Sequence, residues 1–97
     1  MIEINIFQKA GAFAENKDIA RDIRLNEILP GLNNKDEITL NFANVDAATQ
    51  SFIHALISDV LRIHGRDVLD RIYFKSCTVS VRKVIDIVVD YMQEGIP

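Results

Sequence analysis

Apolar and polar residues alternate along three short segments of the chain. The alternating apolar positions are Ile2, Ile4 and Ile6, then Ile38, Leu40 and Phe42, and then Ile72 and Phe74. A period of two predicts a β-strand with one apolar face in each segment. Residues 8–15, which contain Gly11 and several alanines, are interpreted either as a loop or as a short additional strand.

Apolar residues at helical spacing follow each predicted strand. The most regular set predicts a helix over 49–64, with Gly65 at its C-terminal end; its members are Phe52, Ile53, Leu56, Ile57, Val60 and Leu61. An earlier helix begins after Asn16, but its apolar stripe loses phase, which predicts a break near Asn26 and an end at Pro30-Gly31. A last helix carries Val81, Val84, Ile85, Val88 and Met92, and its candidate caps are Ser76, Thr78 and Ser80.

The order strand, helix, strand, helix, strand, helix indicates a small α/β domain with a mainly parallel sheet. Because the strands alternate, the helices should pack mostly on one face, leaving the other face solvated or covered by a partner. Ile87, Val89 and Tyr91 widen the apolar arc of the last helix. That width suits a helix wedged between sheet and neighbouring helix, or a surface for a homodimer.

Composition limits the classes of protein that remain. The 97 residues suit a single domain over 1–97, and the net charge of −3 disfavours a nucleic-acid binder. The bases between Arg62 and Lys83 are interpreted as a solvated rim, with an anion-binding patch as the alternative. A single cysteine fits the reducing cytoplasm, Glu3 interrupts the apolar run of a signal peptide, and no run is long enough to span a membrane.

Catalytic and metal-binding motifs are missing from the sequence. There is no H-x-x-x-H, C-x-x-C, G-x-S-x-G or glycine-rich phosphate loop. His54, His64 and Cys77 are therefore assigned structural roles. We expect no enzymatic activity, no metal and no cofactor.

The turn over 44–51 is the strongest candidate for a functional site. It holds Asn44, Asp46, Thr49, Gln50 and Ser51 at the start of the predicted helix 49–64. Turns of this kind present backbone N–H groups and small hydroxyls to a partner. Asp46 or Thr49 is expected to cap the helix, and Ser51 to face solvent, where a phosphate would gain from the helix dipole.

The segment Leu40-Asn41-Phe42, Asn44-Val45 and Ser51-Phe52 resembles the strand–turn–helix signature of STAS domains, which occur in sulfate transporters and anti-sigma factor antagonists. It resembles more closely the small bacterial STAS-like family. The segments Ala20 to Arg24 and Ile72 to Phe74 match as well, so the resemblance covers roughly Ile2 to Met92. By this matching Gln50 falls on the usual phosphoserine position and Ser51 follows it.

The resemblance implies a non-enzymatic regulatory module in the bacterial cytoplasm. Anti-sigma factor antagonists bind a GHKL-type kinase-like ATPase, which implies a partner of that type and phosphorylation of Ser51 or Thr49. The expected docking surface is the turn 44–51 and the exposed side of the helix 49–64; its residues are Asn44, Asp46, Thr49, Gln50, Ser51, Ser58, Asp59 and Arg62. The alternative is a small-ligand or nucleotide sensor that binds an anion at the same helix N-terminus.

Overall fold

A computed structural model describes residues 1–95, and the side chains of residues 1–92. The strands are β1 (Ile2–Asn5), β2 (Phe13–Ala14), β3 (Ile38–Asn41), β4 (Ala47–Ala48) and β5 (Ile72–Lys75). The α-helices are α1 (Ile6–Ala10), α2 (Lys17–Ile23), α3 (Leu29–Asn33), α4 (Gln50–His64) and α5 (Val79–Gly95). A π-helical segment (Arg24–Ile28) joins α2 to α3, and a 3₁₀ helix (Arg66–Arg71) precedes β5.

The main sheet has three parallel strands in the order β1-β3-β5. Ile4, Leu40 and Phe74 are in register and point to one face. Asn5, Asn41 and Lys75 are in register on the other face. The parallel α/β fold predicted from the order of elements is thereby confirmed.

The helices within the described residues cover the apolar face of this sheet. Ile4, Ile38 and Leu40 are buried in one core together with the apolar residues of α2, α4 and α5. On the opposite face a carboxylate oxygen of Glu3 lies 3.1 Å from Asn41 Nδ2 and the other lies 3.5 Å from Lys75 Nζ. The prediction of helices on one face is therefore confirmed, and the second face is polar and solvated at Glu3 and Tyr73 but buried at its centre, where Thr39 is 7% exposed.

The stretch 24–33 continues as a helix where the sequence predicted a break and an end. In the π-helical segment the Leu29 N–H bonds to the Arg24 carbonyl, so one extra residue enters the turn and shifts the apolar phase. Pro30 has no N–H to donate and lies in the first turn of α3. Gly31 is helical too, and only glycine fits there, because a Cβ would lie 2.7 Å from the Cδ1 atoms of Ile2 and Ile38.

Residues 6–15 also differ in part from the prediction. Ile6 begins α1 and does not extend β1, because the Asn5 side chain accepts the Gln8 N–H at 3.0 Å and caps the helix. The short additional strand, one of the two interpretations of 8–15, is present as β2. It pairs in parallel with β4, which joins Phe13 to Ala47 in register.

Candidate functional site

The turn between β3 and α4 is fixed by its own hydrogen bonds. The Asn41 carboxamide accepts the Ala43 N–H at 2.9 Å, and the Phe42 carbonyl accepts the Val45 N–H at 3.0 Å. Asn44 is exposed and has a φ of 70°, a conformation that asparagine tolerates better than most residues. The tight turn predicted between the second strand and the helix 49–64 is therefore confirmed.

Neighbouring loops anchor the second half of the turn. The Asp46 N–H donates to the Ala12 carbonyl at 2.8 Å, and the Thr49 N–H donates to the Ala14 carbonyl at 3.0 Å. The Thr78 hydroxyl, which also caps α5, donates to the Asp46 carbonyl at 3.1 Å. The start of α4 is therefore held rigidly against the loop before β2 and the start of α5.

Thr49 and Ser51 have different environments at the start of α4. Thr49 is half-buried, and its Oγ1 accepts the Phe52 N–H at 3.1 Å. Of the two predicted caps, Thr49 is therefore the N-cap of α4, and Asp46 is not. The Ser51 side chain is exposed, as predicted, with its oxygen 3.2 Å from Thr49 Oγ1. The N–H groups of Gln50 and Ser51 belong to the first turn and have no intrahelical partner.

A groove of about 540 Å³ opens beside Ser51, between α4, α5 and the first residue of α2. Its lining residues are Lys17, Gln50, Ser51, His54, Ala55, Ile87, Val88 and Tyr91. Ile87 is 50% exposed and Tyr91 66% exposed, although both are large apolar side chains. The ring centroids of His54 on α4 and Tyr91 on α5 lie 6.5 Å apart, so the two rings form a tilted aromatic pair that joins the two helices. We call this feature the α4–α5 groove.

The α4–α5 groove carries a cation and no anion. Among the described side chains, Lys17 is the charged residue of the lining, and no aspartate or glutamate of residues 1–92 belongs to it. Lys9, Arg24 and Arg82 form ion pairs elsewhere, whereas Lys17 forms none with the side chains of residues 1–92. In a protein with a net charge of −3, this groove is a local exception.

The far half of α4 does not match the predicted docking surface. Ser58 is only 3% exposed, so the expectation that it lies on the exposed side of the helix is wrong. Asp59 forms ion pairs with Arg24 at 3.3 Å and with Arg62 at 2.6 Å. Arg24 also donates to the Ala55 carbonyl at 2.7 Å. Asp59 thus holds α4 to the π-helical segment, and Arg62 remains exposed at the rim of this contact.

Four residues that line the α4–α5 groove were not predicted from the sequence. Lys17, His54, Ile87 and Tyr91 were not among the candidate site residues, although Gln50 and Ser51 were. The wide apolar arc of the last helix was the available signal for Ile87 and Tyr91. Nothing in the sequence pattern indicated that Lys17 would lie beside the start of α4.

Other candidate chemistry receives little support from the described part of the chain. Burial raises the pKa of the Cys77 thiol, which disfavours the reactive thiolate. No cluster of three or more histidine, cysteine, aspartate or glutamate residues within the described range is arranged to hold a metal ion. None of the helices described combines the length and apolar character that crossing a membrane requires.

Comparison with known families agrees with the fold. Residues 25–82, from the π-helical segment to the first turns of α5, match the family described as STAS-like domain of unknown function (DUF4325). No curated protein and no solved structure matches the chain. The matched range contains β3, the turn 44–51, α4 and β5, whereas the groove residues Lys17, Ile87, Val88 and Tyr91 lie outside it. The chain therefore belongs to the STAS-like domain family.

Proposed function

We propose that this protein is a non-enzymatic regulatory module that binds another protein through the turn 44–51, the first half of α4 and the α4–α5 groove. The observation that carries the proposal is the exposure of Ile87 and Tyr91 beside Ser51. Exposed apolar side chains that line a concave surface with polar neighbours are typical of protein-binding sites. The resemblance to anti-sigma factor antagonists suggests a GHKL-type kinase-like ATPase in the bacterial cytoplasm as the partner.

The rigidity of the turn supports this role. Three hydrogen bonds from neighbouring loops hold residues 46–49, so little conformational entropy is lost when a partner docks there. Asn44, Asp46 and Gln50 are exposed around this fixed backbone and are available for polar contacts. A preorganised surface of this kind suits competitive docking between partners.

Phosphorylation is a secondary element of the proposal, and Ser51 is the better acceptor. Phosphorylating Thr49 would turn the oxygen that caps α4 into a phosphate-ester oxygen, and the half-buried side chain would have to accommodate the phosphate. Ser51 is exposed in the first turn of α4, where the helix dipole favours negative charge. A phosphate on Ser51 would also lie beside Lys17 in the α4–α5 groove.

The replacement Ser51→Arg tests the proposal. A bulky cation at this position is expected to block docking while it changes the free energy of unfolding by only about 0.5 kcal/mol, because Ser51 is exposed. The measurement compares the proteins captured from a lysate of the source cells by wild type and variant, alongside their thermal melts. Asn33→Arg is the matched control, since Asn33 is exposed at the end of α3, outside the α4–α5 groove.

The expected result is a partner that wild type and Asn33→Arg capture and Ser51→Arg does not. Equal capture by all three proteins contradicts the proposed docking surface. A Ser51→Arg variant that no longer unfolds cooperatively shows instead that position 51 is structural.

A sensor of small anionic ligands or nucleotides is the second candidate. Lys17 and the free N–H groups at the start of α4 favour it, since both attract anions. A thermal shift screen with nucleotides and inorganic phosphate separates the candidates. Stabilisation by a nucleotide that is lost in Lys17→Ala supports the sensor, and an unchanged melting temperature with every compound supports the protein-binding module.

A further inference from the structure

We propose that the α4–α5 groove binds an acidic amphipathic helical segment of a partner protein. This inference rests on the proposed function and specifies the chemistry of its partner. The segment would insert an apolar side chain between Ile87 and Tyr91 and place a carboxylate at Lys17. Helices that dock in grooves commonly use one apolar face for affinity and flanking charges for orientation.

The apolar half of the groove supplies the anchor. Ala55 on α4 and Ile87, Val88 and Tyr91 on α5 form a continuous apolar wall. Ile87 and Tyr91 are exposed by half or more, so an inserted side chain would remove considerable apolar surface from water.

The polar half of the groove selects the charge of the ligand. Lys17 stands there without an ion-pair partner among the described side chains, and Gln50 and Ser51 add neutral hydrogen-bonding groups. Because the lining residues that the structure describes include no carboxylate, a basic segment would meet Lys17 without a compensating anion from them. An acidic segment completes an ion pair at the edge of an apolar contact, which favours one orientation of docking.

A second copy of this chain fits the groove less well. In a two-fold dimer through the α4–α5 groove, each surface would face the same set of residues. That lining offers no aspartate or glutamate to Lys17 of the other copy. The charge pattern therefore favours a different protein over self-association.

Selection from a displayed library of random helical peptides on the immobilised protein tests the inference. Enriched peptides are expected to combine apolar residues at i, i+3 or i+4 spacing with Asp or Glu at one end. Isothermal titration calorimetry should show that the affinity for a selected peptide falls at least about tenfold with Ile87→Asp and roughly fivefold with Lys17→Glu. A repeated selection on Lys17→Glu should enrich basic peptides instead.

Matched controls separate local from global effects. Val79→Asp places the same change on α5 at an 80% exposed residue outside the groove, and Lys83→Glu reverses an exposed charge of the same helix. Both controls should bind the selected peptide as the wild type does. Amide chemical shifts of the labelled protein identify the residues that the peptide contacts.

Each remaining outcome has a definite meaning. Peptides that bind at the groove without an acidic preference overturn the inferred partner chemistry and leave the proposed function standing. Peptides that bind Ile87→Asp and the wild type equally place the binding site elsewhere and overturn the inference. A concentration-dependent dimer that Ile87→Asp dissociates assigns the groove to self-association and overturns it as well.

Discussion

Single residues of α4 show how tertiary contacts decide exposure. Ser51 and Ser58 are two helical turns apart and project within roughly 20° of each other around the axis. The first is exposed and the second is 3% exposed, because the far half of α4 packs against the π-helical segment and the 3₁₀ helix. The helical period alone assigns both serines to one face and does not distinguish them.

Tyr73 permits a prediction of pH dependence. Its hydroxyl donates to a carboxylate oxygen of Glu37 at 3.1 Å, and this hydrogen bond raises the pKa of Tyr73 above its ordinary value of 10.0. Since the folded pKa exceeds the unfolded one, the hydrogen bond stabilises the fold below pH 10 and this contribution is lost as the pH rises through the folded pKa. Ultraviolet titration of tyrosinate in a Tyr91→Phe background should show this raised pKa.

Glu37→Gln in the same background is the control for this titration. The neutral amide can still accept a hydrogen bond but no longer repels the tyrosinate, so the pKa of Tyr73 should fall. An unchanged titration curve would contradict the assigned role of Glu37.

At the scale of elements, Arg24 and Asp59 link the first helical region to α4. The Arg24 side chain is 12% exposed and donates to Ala55 O as well as pairing with Asp59. Without the Asp59 carboxylate, the nearly buried Arg24 guanidinium would carry a charge with no partner of opposite sign. This contact therefore contributes to how α2 and the π-helical segment are fixed on α4.

Asp59→Ala and Arg62→Ala form a matched pair of variants for this link. Asp59→Ala should lower the free energy of unfolding by about 2 kcal/mol, because it leaves Arg24 uncompensated. Arg62→Ala should cost about 0.5 kcal/mol or less, because Arg62 is 62% exposed. Urea denaturation measures both values, and equal effects of the two replacements would contradict the role assigned to Arg24.

Elements whose apolar residues recur at regular spacing could be predicted from the sequence. Elements that depend on a single capping residue or on one π-helical hydrogen bond could not. β1, β3 and β5 follow from alternation and α4 from the helical stripe that ends at Gly65, whereas β4 was not predicted. The sequence did not predict α1, because the Asn5 cap lies inside an alternating run. It did not predict a helix through Pro30, because the helix continues through the π-helical segment and Pro30 lies in the first turn of α3. The turn 44–51 was identified from sequence, but the α4–α5 groove depends on how two distant helices pack.

At the scale of the molecule, all major elements contribute to one core. Buried side chains of β1, β3 and β5 form a single cluster with those of α2, α4 and α5. The predicted single domain over 1–97 remains to be tested in solution. A shared core is the physical basis for cooperative unfolding.

Unfolding in urea should accordingly give one transition. Far-ultraviolet circular dichroism reports on the helices, and tyrosine fluorescence reports on Tyr73 and Tyr91, since the chain has no tryptophan. Both curves should have the same midpoint in the wild type. Leu56→Ala, which removes a fully buried side chain, should shift both midpoints together, with a loss of about 2–5 kcal/mol. Two separate midpoints would indicate units that unfold independently.

The central position of β3 has a consequence for the order of assembly. Ile38 pairs with Ile2, 36 positions earlier, and with Ile72, 34 positions later, so neither ladder forms between neighbours in sequence. During synthesis β1 gains a partner only when β3 has left the ribosome, and the sheet is complete only after β5 follows. Each ladder forms only after one long segment of the chain has closed, which slows the search for the native state, as in other proteins with high contact order.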